Sequence, residues 1–329
     1  MHFKLLSILF LLLPIIHGTA QTCCSGGVPV ASNLGLPSAQ AGAIQLSLSY
    51  DLNVLETLKT GTETLEDDSR SRKTHSGLFE IGYALSDKLS VDGLFSFVQQ
   101  EREISQFNTR NISTTQGIGD AVLLFKYKIF SSPNDHTTIQ IGAGPKIPIG
   151  SSDKRNEQGL TLNADLQPGS GAWDLSSWAQ FTHVLKGSPS RSLHLTAIHS
   201  FKGTNQNYLG SQAYQFGQEF QVAVGISDRL LLGNLILDPS LSLRYRYQAA
   251  DDIDSFELPS TGGQWVFVNP SLSYWANQDL SFEVGATFPI IANIVGTQVT
   301  PTYRFRTGVF YRLFTKSKKD SSILPKIVF

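Results

Sequence analysis

The residues best equipped for chemistry in this 329-residue sequence are ionic, and they recur at alternate positions inside otherwise apolar segments. Glu80, Asp92, Asp120, Lys126, Lys146, Glu219, Arg244, Arg246, Glu283, Arg304, Arg306 and Arg312 all stand in this setting. Carboxylates and guanidinium groups placed so can pair with one another or line a polar path for a solute. Nucleophilic catalysis finds little support. His199 and Ser200 are neighbours on an extended segment, so their side chains point to opposite faces and cannot form a nucleophile–base pair. Neither a Gly-x-Ser-x-Gly elbow nor a His-Glu-x-x-His pair occurs. No enzyme activity and no cofactor are expected. Cys23 and Cys24 are the only cysteines. Adjacent thiols make poor joint ligands, so they are weak metal candidates in an exposed leader. Two acidic clusters, one of Glu63, Glu66, Asp67 and Asp68, the other of Asp251, Asp252, Asp254 and Glu257, lack EF-hand spacing and read as solvated loops.

The elements that must position these ions have a period of two. Ile44, Leu46, Leu48, Tyr50, Leu52 and Val54 alternate without a miss with Gln45, Ser47, Ser49, Asp51 and Asn53. That is a strand pattern, and its length suits a tilted membrane strand of about 9–11 residues. Similar patterns predict strands over 42–55, 77–86, 88–103, 118–130, 137–149, 174–186, 191–202, 214–227, 235–248, 264–276, 279–289 and 300–314. The ninth carries Pro239 and the continuously apolar stretch from Leu230 to Leu237. Short turns, at 86–88, 131–136, 186–190, 227–229 and 277–278, alternate with long loops at 56–76, 104–117, 150–173, 203–213, 249–263 and 290–299. Long loops confined to one end are a habit of outer-membrane barrels. Loop 150–173, with Pro168-Gly169-Ser170-Gly171, is long enough to fold inward and constrict a lumen.

Faces and composition agree. Phe79, Tyr83, Phe95, Phe97, Phe125, Tyr127, Phe181, Phe201, Phe282, Phe288, Tyr303, Phe305 and Tyr311 share the aliphatic face of their strands. An ionised side chain turned to mid-bilayer costs about 2–4 kcal/mol, so the ionic face must look into a lumen. His194 has luminal parity, whereas His183 and His199 fall on the lipid face near strand ends. Charged residues make up 16% of the chain and aromatics 10%, with a net charge of −1, which gives no footing for nucleic acid. The start of the chain reads as an export signal: Lys4, an apolar run over 5–16, then Gly18-Thr19-Ala20 before a cleavage point. The expected fold is an all-β, transmembrane, antiparallel up-and-down barrel of about 12 strands. It would have a cleaved signal at 1–20, a leader at 21–40, the barrel at 41–314 and a basic tail at 315–329. An even strand count places both termini in the periplasm.

On the last strand, Arg306, Gly308, Tyr311 and Leu313 match the polar-x-Gly-x-x-aromatic-x-hydrophobic signal read by barrel-assembly machinery. Among the luminal ions, Glu219 falls across a predicted hairpin from Arg244 and Arg246, and Glu283 across another from Arg304 and Arg306. They could form an ion network that fills a narrow barrel, or a lining whose arginine excess favours anionic solutes.

Three further segments carry a resemblance: Gly117-Ile118-Gly119-Asp120 leading into Leu123-Leu124-Phe125-Lys126-Tyr127-Lys128; Gly144-Pro145-Lys146-Ile147-Pro148-Ile149-Gly150; and Leu166-Gln167-Pro168-Gly169-Ser170-Gly171-Ala172-Trp173-Asp174. In these the chain resembles the outer-membrane family of the meta-pathway of phenol degradation. The resemblance implies a barrel of the same type and a role in passing hydrophobic or aromatic compounds. The expected partners are outer-membrane lipid, the assembly machinery and a small-molecule solute moving passively; the alternative is a plugged, partner-binding barrel that transports nothing.

Overall fold

The computed structural model describes residues 40–106, 109–133, 136–188 and 190–314. The export signal, the Cys23-Cys24 leader and the basic tail lie outside those residues. Twelve antiparallel strands run up and down in chain order: β1 (Ala43–Thr60), β2 (Arg70–Ala84), β3 (Leu89–Gln106), β4 (Thr109–Ile118 continued by Ala121–Ser131), β5 (Thr137–Ile147), β6 (Asp174–Val184), β7 (Ser192–Phe201), β8 (Glu219–Ser227), β9 (Leu235–Gln248), β10 (Gly263–Trp275), β11 (Leu280–Ile294) and β12 (Thr297–Phe314). Each pairs with its neighbours, and β1 pairs with β12 from Ala43↔Phe314 to Thr60↔Thr297, which closes the ring. Closure leaves no sheet edge and satisfies the backbone in lipid.

The alternation sorts as the energetics demand. All thirteen aromatics assigned to the aliphatic face are exposed on the outer surface. The twelve ionic residues of the other face are buried or half-buried within the ring. The end bearing Ala43 and Phe314 is called the near end here, and the opposite one the far end.

At the far end the structure departs from the expected loops. Strands β1 and β2 extend to Thr60 and from Arg70, and β3 and β4 to Gln106 and from Thr109, so most of 56–76 and 104–117 is ladder rather than loop. Likewise 290–299 shrinks to a tight turn at Val295-Gly296. Beyond the lipid both faces of a strand meet polar surroundings, so the apolar alternation that marks a strand disappears while pairing continues. Segment 214–227 also differs. The barrel strand starts at Glu219, while Gln212–Gln215 joins Thr204–Tyr208, Asp252–Ile253 and Phe256–Glu257 in a separate four-stranded sheet over the far end. Gly217 lies between the two pieces, against the neighbouring loop. A Cβ there would meet the Ala249 carbonyl oxygen at 1.9 Å. Tyr214 and Phe216 therefore turn into a buried cluster with Tyr208 and Ala164 instead of facing lipid. At the near end the 227–229 turn is longer than expected, because Leu230–Leu232 pairs with Leu235–Leu237.

Candidate functional site in the barrel lumen

The three Gly-rich segments converge on one structure, the inward fold of loop 148–173. Asp120, at the break in β4, accepts hydrogen bonds through Oδ2 from the Ser170 backbone N (2.9 Å) and hydroxyl (2.7 Å). Lys146 of β5 reaches Asp120 (3.1 Å), Asp174 of β6 (2.8 Å) and Ser170, and Lys202 joins Asp174 at 3.4 Å. Buried charges persist only when paired like this. Glycine is required where the chains touch: a Cβ on Gly169 would meet Asp120 Oδ1 and the Gly150 backbone, each at 2.6 Å.

From this hub the loop lies against the wall of β2, β3 and β4. Its 3-10 turn Ala164–Leu166 presents Asp165 to Arg72 (3.1 Å) and Arg102 (3.9 Å). Gln100 and the Asp165 carbonyl also accept from Arg72. Gln100 donates to the Gln167 carbonyl, and Thr115 to that of Leu166. The inward fold read from length and glycine content is thus present. The signal for its wall partners was weaker, since Arg72 and Asp165 lie in segments that looked like plain loop.

Deeper along the wall the lumen carries an apolar patch: Leu78, Leu94, Val98, Val122, Leu124, Trp178 and Ile198, all inward and buried. Lys126 is threaded beside it, paired with Asp92 at 2.6 Å and 5.7 Å from the Trp178 ring centroid.

The opposite wall is cationic. Glu219 binds Arg246 at 2.7 Å, one of the pairings expected from sequence. Arg244 does not join it. Its guanidinium lies over Phe267, 4.9 Å from the ring centroid, as that of Arg246 lies over Trp265 at 5.2 Å. The expected bridge from Glu283 to Arg304 does not form: Glu283 is opposite Gly308 in the β11–β12 register, and Arg304 goes to Asp51 at 2.6 Å. Hairpin reasoning could not find Asp51, because it arrives through the ring closure from the far end of the sequence. Arg306 faces the lumen beside it, opposite Asp51 in the β1–β12 register.

In β12, Tyr311 and Leu313 lie on the lipid face. Gly308 sits against Ser49, whose Cβ a new Cβ would approach to 3.0 Å. His194 hydrogen-bonds Ser227 (2.7 Å) and Ser192 (3.2 Å) at the near end of the lumen. His183 bonds Thr137, and His199 packs edge-on against Phe201. None of the three has an acid partner of the kind a triad requires among the described residues. The acidic loop residues do not converge either: no group of three or more potential metal ligands occurs among the described residues.

These features define a class: a twelve-stranded outer-membrane β-barrel whose lumen holds an inward loop, an apolar patch and an arginine-bearing wall. Residues 71–290 match the family described as "Putative MetA-pathway of phenol degradation", and the chain belongs to that family. No curated protein matches it. Among solved structures it is similar to an outer membrane channel from Pseudomonas putida F1, at 13% identity over 85% of this chain and 97% of that one, with a TM-score of 0.66. That likeness establishes the shared fold. Weaker matches include the transport unit of the autotransporter AIDA-I from Escherichia coli (11% identity, 85% and 94% covered, TM-score 0.44) and the CymD monoaromatic hydrocarbon channel (10%, 89% and 98%, TM-score 0.40).

Proposed function

We propose that this barrel is a passive conduit across the outer membrane for small hydrophobic or aromatic solutes, without catalytic activity. The observation that carries the reading is the inward apolar patch from Leu78 to Ile198. Residues turned away from lipid need not be apolar for the barrel to insert, and a lumen serving water and salts alone does not require them. Greasy, aromatic-bearing walls suit a solute that must leave water part-way through. Both termini would then face the periplasm, the far-end loops the outside, and Arg306, Gly308, Tyr311 and Leu313 would serve the assembly machinery.

Single barrels in planar bilayers test this. Expected are discrete conductance steps in KCl that phenol added to one side interrupts in a dose-dependent way. The second reading, a plugged barrel whose loops recruit partners, draws on the same inward-folded loop. Its outcome is membrane-inserted protein with no current and no response to phenol.

A further inference from the structure

On the cationic wall four arginines, Arg244, Arg246, Arg304 and Arg306, share the inward surface with the carboxylates Asp51, Glu219 and Glu283. Asp51 is committed to Arg304 and Glu219 to Arg246. Arg244 has no ion pair and no hydrogen-bond partner among the described residues, and its Nε is a buried donor without an acceptor. The residue is nonetheless half-buried rather than sealed, and of its nitrogens only Nε is among the buried atoms without a partner. The contact with Phe267 holds the guanidinium against the ring without using any of its N–H donors. The positive charges of Arg304 and Arg246 bear on the same spot, partly offset by the negative charges of Glu219 and Asp51.

What lies beside that fork matters equally. Across the β-ladder, Trp178, Ile198, Gln221, Arg246 and Trp265 fall on one row, and Thr196, Ala223, Arg244 and Phe267 on the next. The edge of the apolar patch, Ile198 on β7, is thus separated from the arginines of β9 by one strand, which contributes Ala223 and Gln221. Around Arg244 the inward positions are small: Ala223 and Gly225 on β8, Ser242 on β9.

We propose that Arg244 is the anchor of a carboxylate subsite in the lumen, and that the solutes of this barrel are small organic anions pairing a carboxylate with an apolar or aromatic body. A guanidinium held against a ring, with terminal groups bonded to no described residue, can meet a carboxylate in a two-point contact. The small inward positions Ala223, Gly225 and Ser242 leave room for the ring beside the fork. The subsite rests on the conduit reading above and narrows it from hydrophobic solutes in general to amphipathic anions.

The test uses the full-length protein in planar bilayers at pH 7.5, with sodium benzoate as the probe and benzyltrimethylammonium chloride as its cationic counterpart. Bi-ionic reversal potentials are expected to favour benzoate in the wild type. The Arg244→Gln variant should lose about tenfold of that preference, while Arg244→Lys, which keeps the charge but not the fork, should fall between. A folded barrel is confirmed by its heat-dependent shift on gels. A measurement on the unaltered protein stands alongside: benzoate should depress the chloride current saturably and at lower concentration than acetate, which lacks the ring. Equal preference in wild type and Arg244→Gln, or equal potency of acetate and benzoate, overturns the subsite while phenol-sensitive conductance upholds the conduit. A wild-type barrel with no current in KCl overturns both.

Discussion

Asp165→Asn is the sharpest probe of the inward loop. The Asp165 carboxylate sits at 3.1 Å from Arg72 and 3.9 Å from Arg102, and the Arg72 side chain is 1% exposed, so solvent cannot replace the lost partner. Removing one member of a buried pair costs about 3–5 kcal/mol. The asparagine carbonyl keeps one acceptor, and Arg72 retains Gln100 and the carbonyl of residue 165, which together recover about half. The remaining loss, about 2 kcal/mol, raises the population with a detached 160–167 limb about 30-fold. The hub of Asp120, Lys146 and Ser170 is untouched, so the barrel itself should stay folded. Trypsin reports on the limb, because the Lys154 backbone N–H and carbonyl are both tied to the Gln167 side chain at 2.8 and 3.0 Å. Faster cleavage at Lys154 and Arg155 is expected, together with larger or longer open events in single-barrel recordings. Cleavage and conductance indistinguishable from wild type would refute the claim that this ion pair holds the loop in the lumen.

Three other outcomes follow from the geometry. Asp51→Asn should lower stability to urea in lipid by about 3 kcal/mol, since it removes the carboxylate paired with the buried Arg304 guanidinium at the ring closure; a shift under 1 kcal/mol would place the anchor elsewhere. Gly144→Ala should abolish the folded, heat-modifiable band, because its Cβ would meet the Leu123 carbonyl oxygen at 1.8 Å within the β4–β5 ladder. Beside the far-end sheet, burial pushes the Asp251 carboxyl above the usual carboxylate range despite hydrogen bonds from Gly217 N and the Tyr214 hydroxyl. A raised folded-state pKa means stability that is complete below the unfolded value near 3.9 and is lost as pH rises through the folded one. Hydrogen exchange around 212–217, corrected for its intrinsic pH dependence, should therefore be slower at pH 4 than at pH 7, and Asp251→Asn should remove the difference.

How far the sequence could be read depended on where lipid imposes a rule. Between the interfaces one face must be apolar and the other need not be, so Leu48, Phe95 and Tyr311 point outward and Asp92, Lys126 and Arg304 inward as their parity implies. Above the lipid the rule lapses. The pairing of Arg70–Ile104 through Ala84–Ser90 continues past the membrane with polar residues on both faces, and alternation could not announce it. Tyr214 and Phe216 misled for a related reason: their alternation was real, but it served a cap cluster beyond the break at Gly217. In the lumen, Glu219 with Arg246 was legible because both lie on consecutive strands of one hairpin. Arg304 with Asp51 and Arg72 with Asp165 were not, since one needs the ring closure and the other a loop folded back by about 90 residues of intervening chain. The apolar patch was equally hidden, because Leu78, Val98 and Trp178 occupy a face that parity alone marks as polar.

The seam between the first and last strands has a consequence for biogenesis. Its ladder joins Ala43 to Phe314, close to the two limits of the described residues, so no product that lacks the last strand can form it. Until the last strand arrives, β1 and the unpaired strand before the gap present open hydrogen-bonding edges that water-free hydrocarbon cannot satisfy and that a neighbouring chain can capture. Such a polypeptide should become a membrane resident in one cooperative event at its end rather than stave by stave, with a delay set by the search for this single remote match.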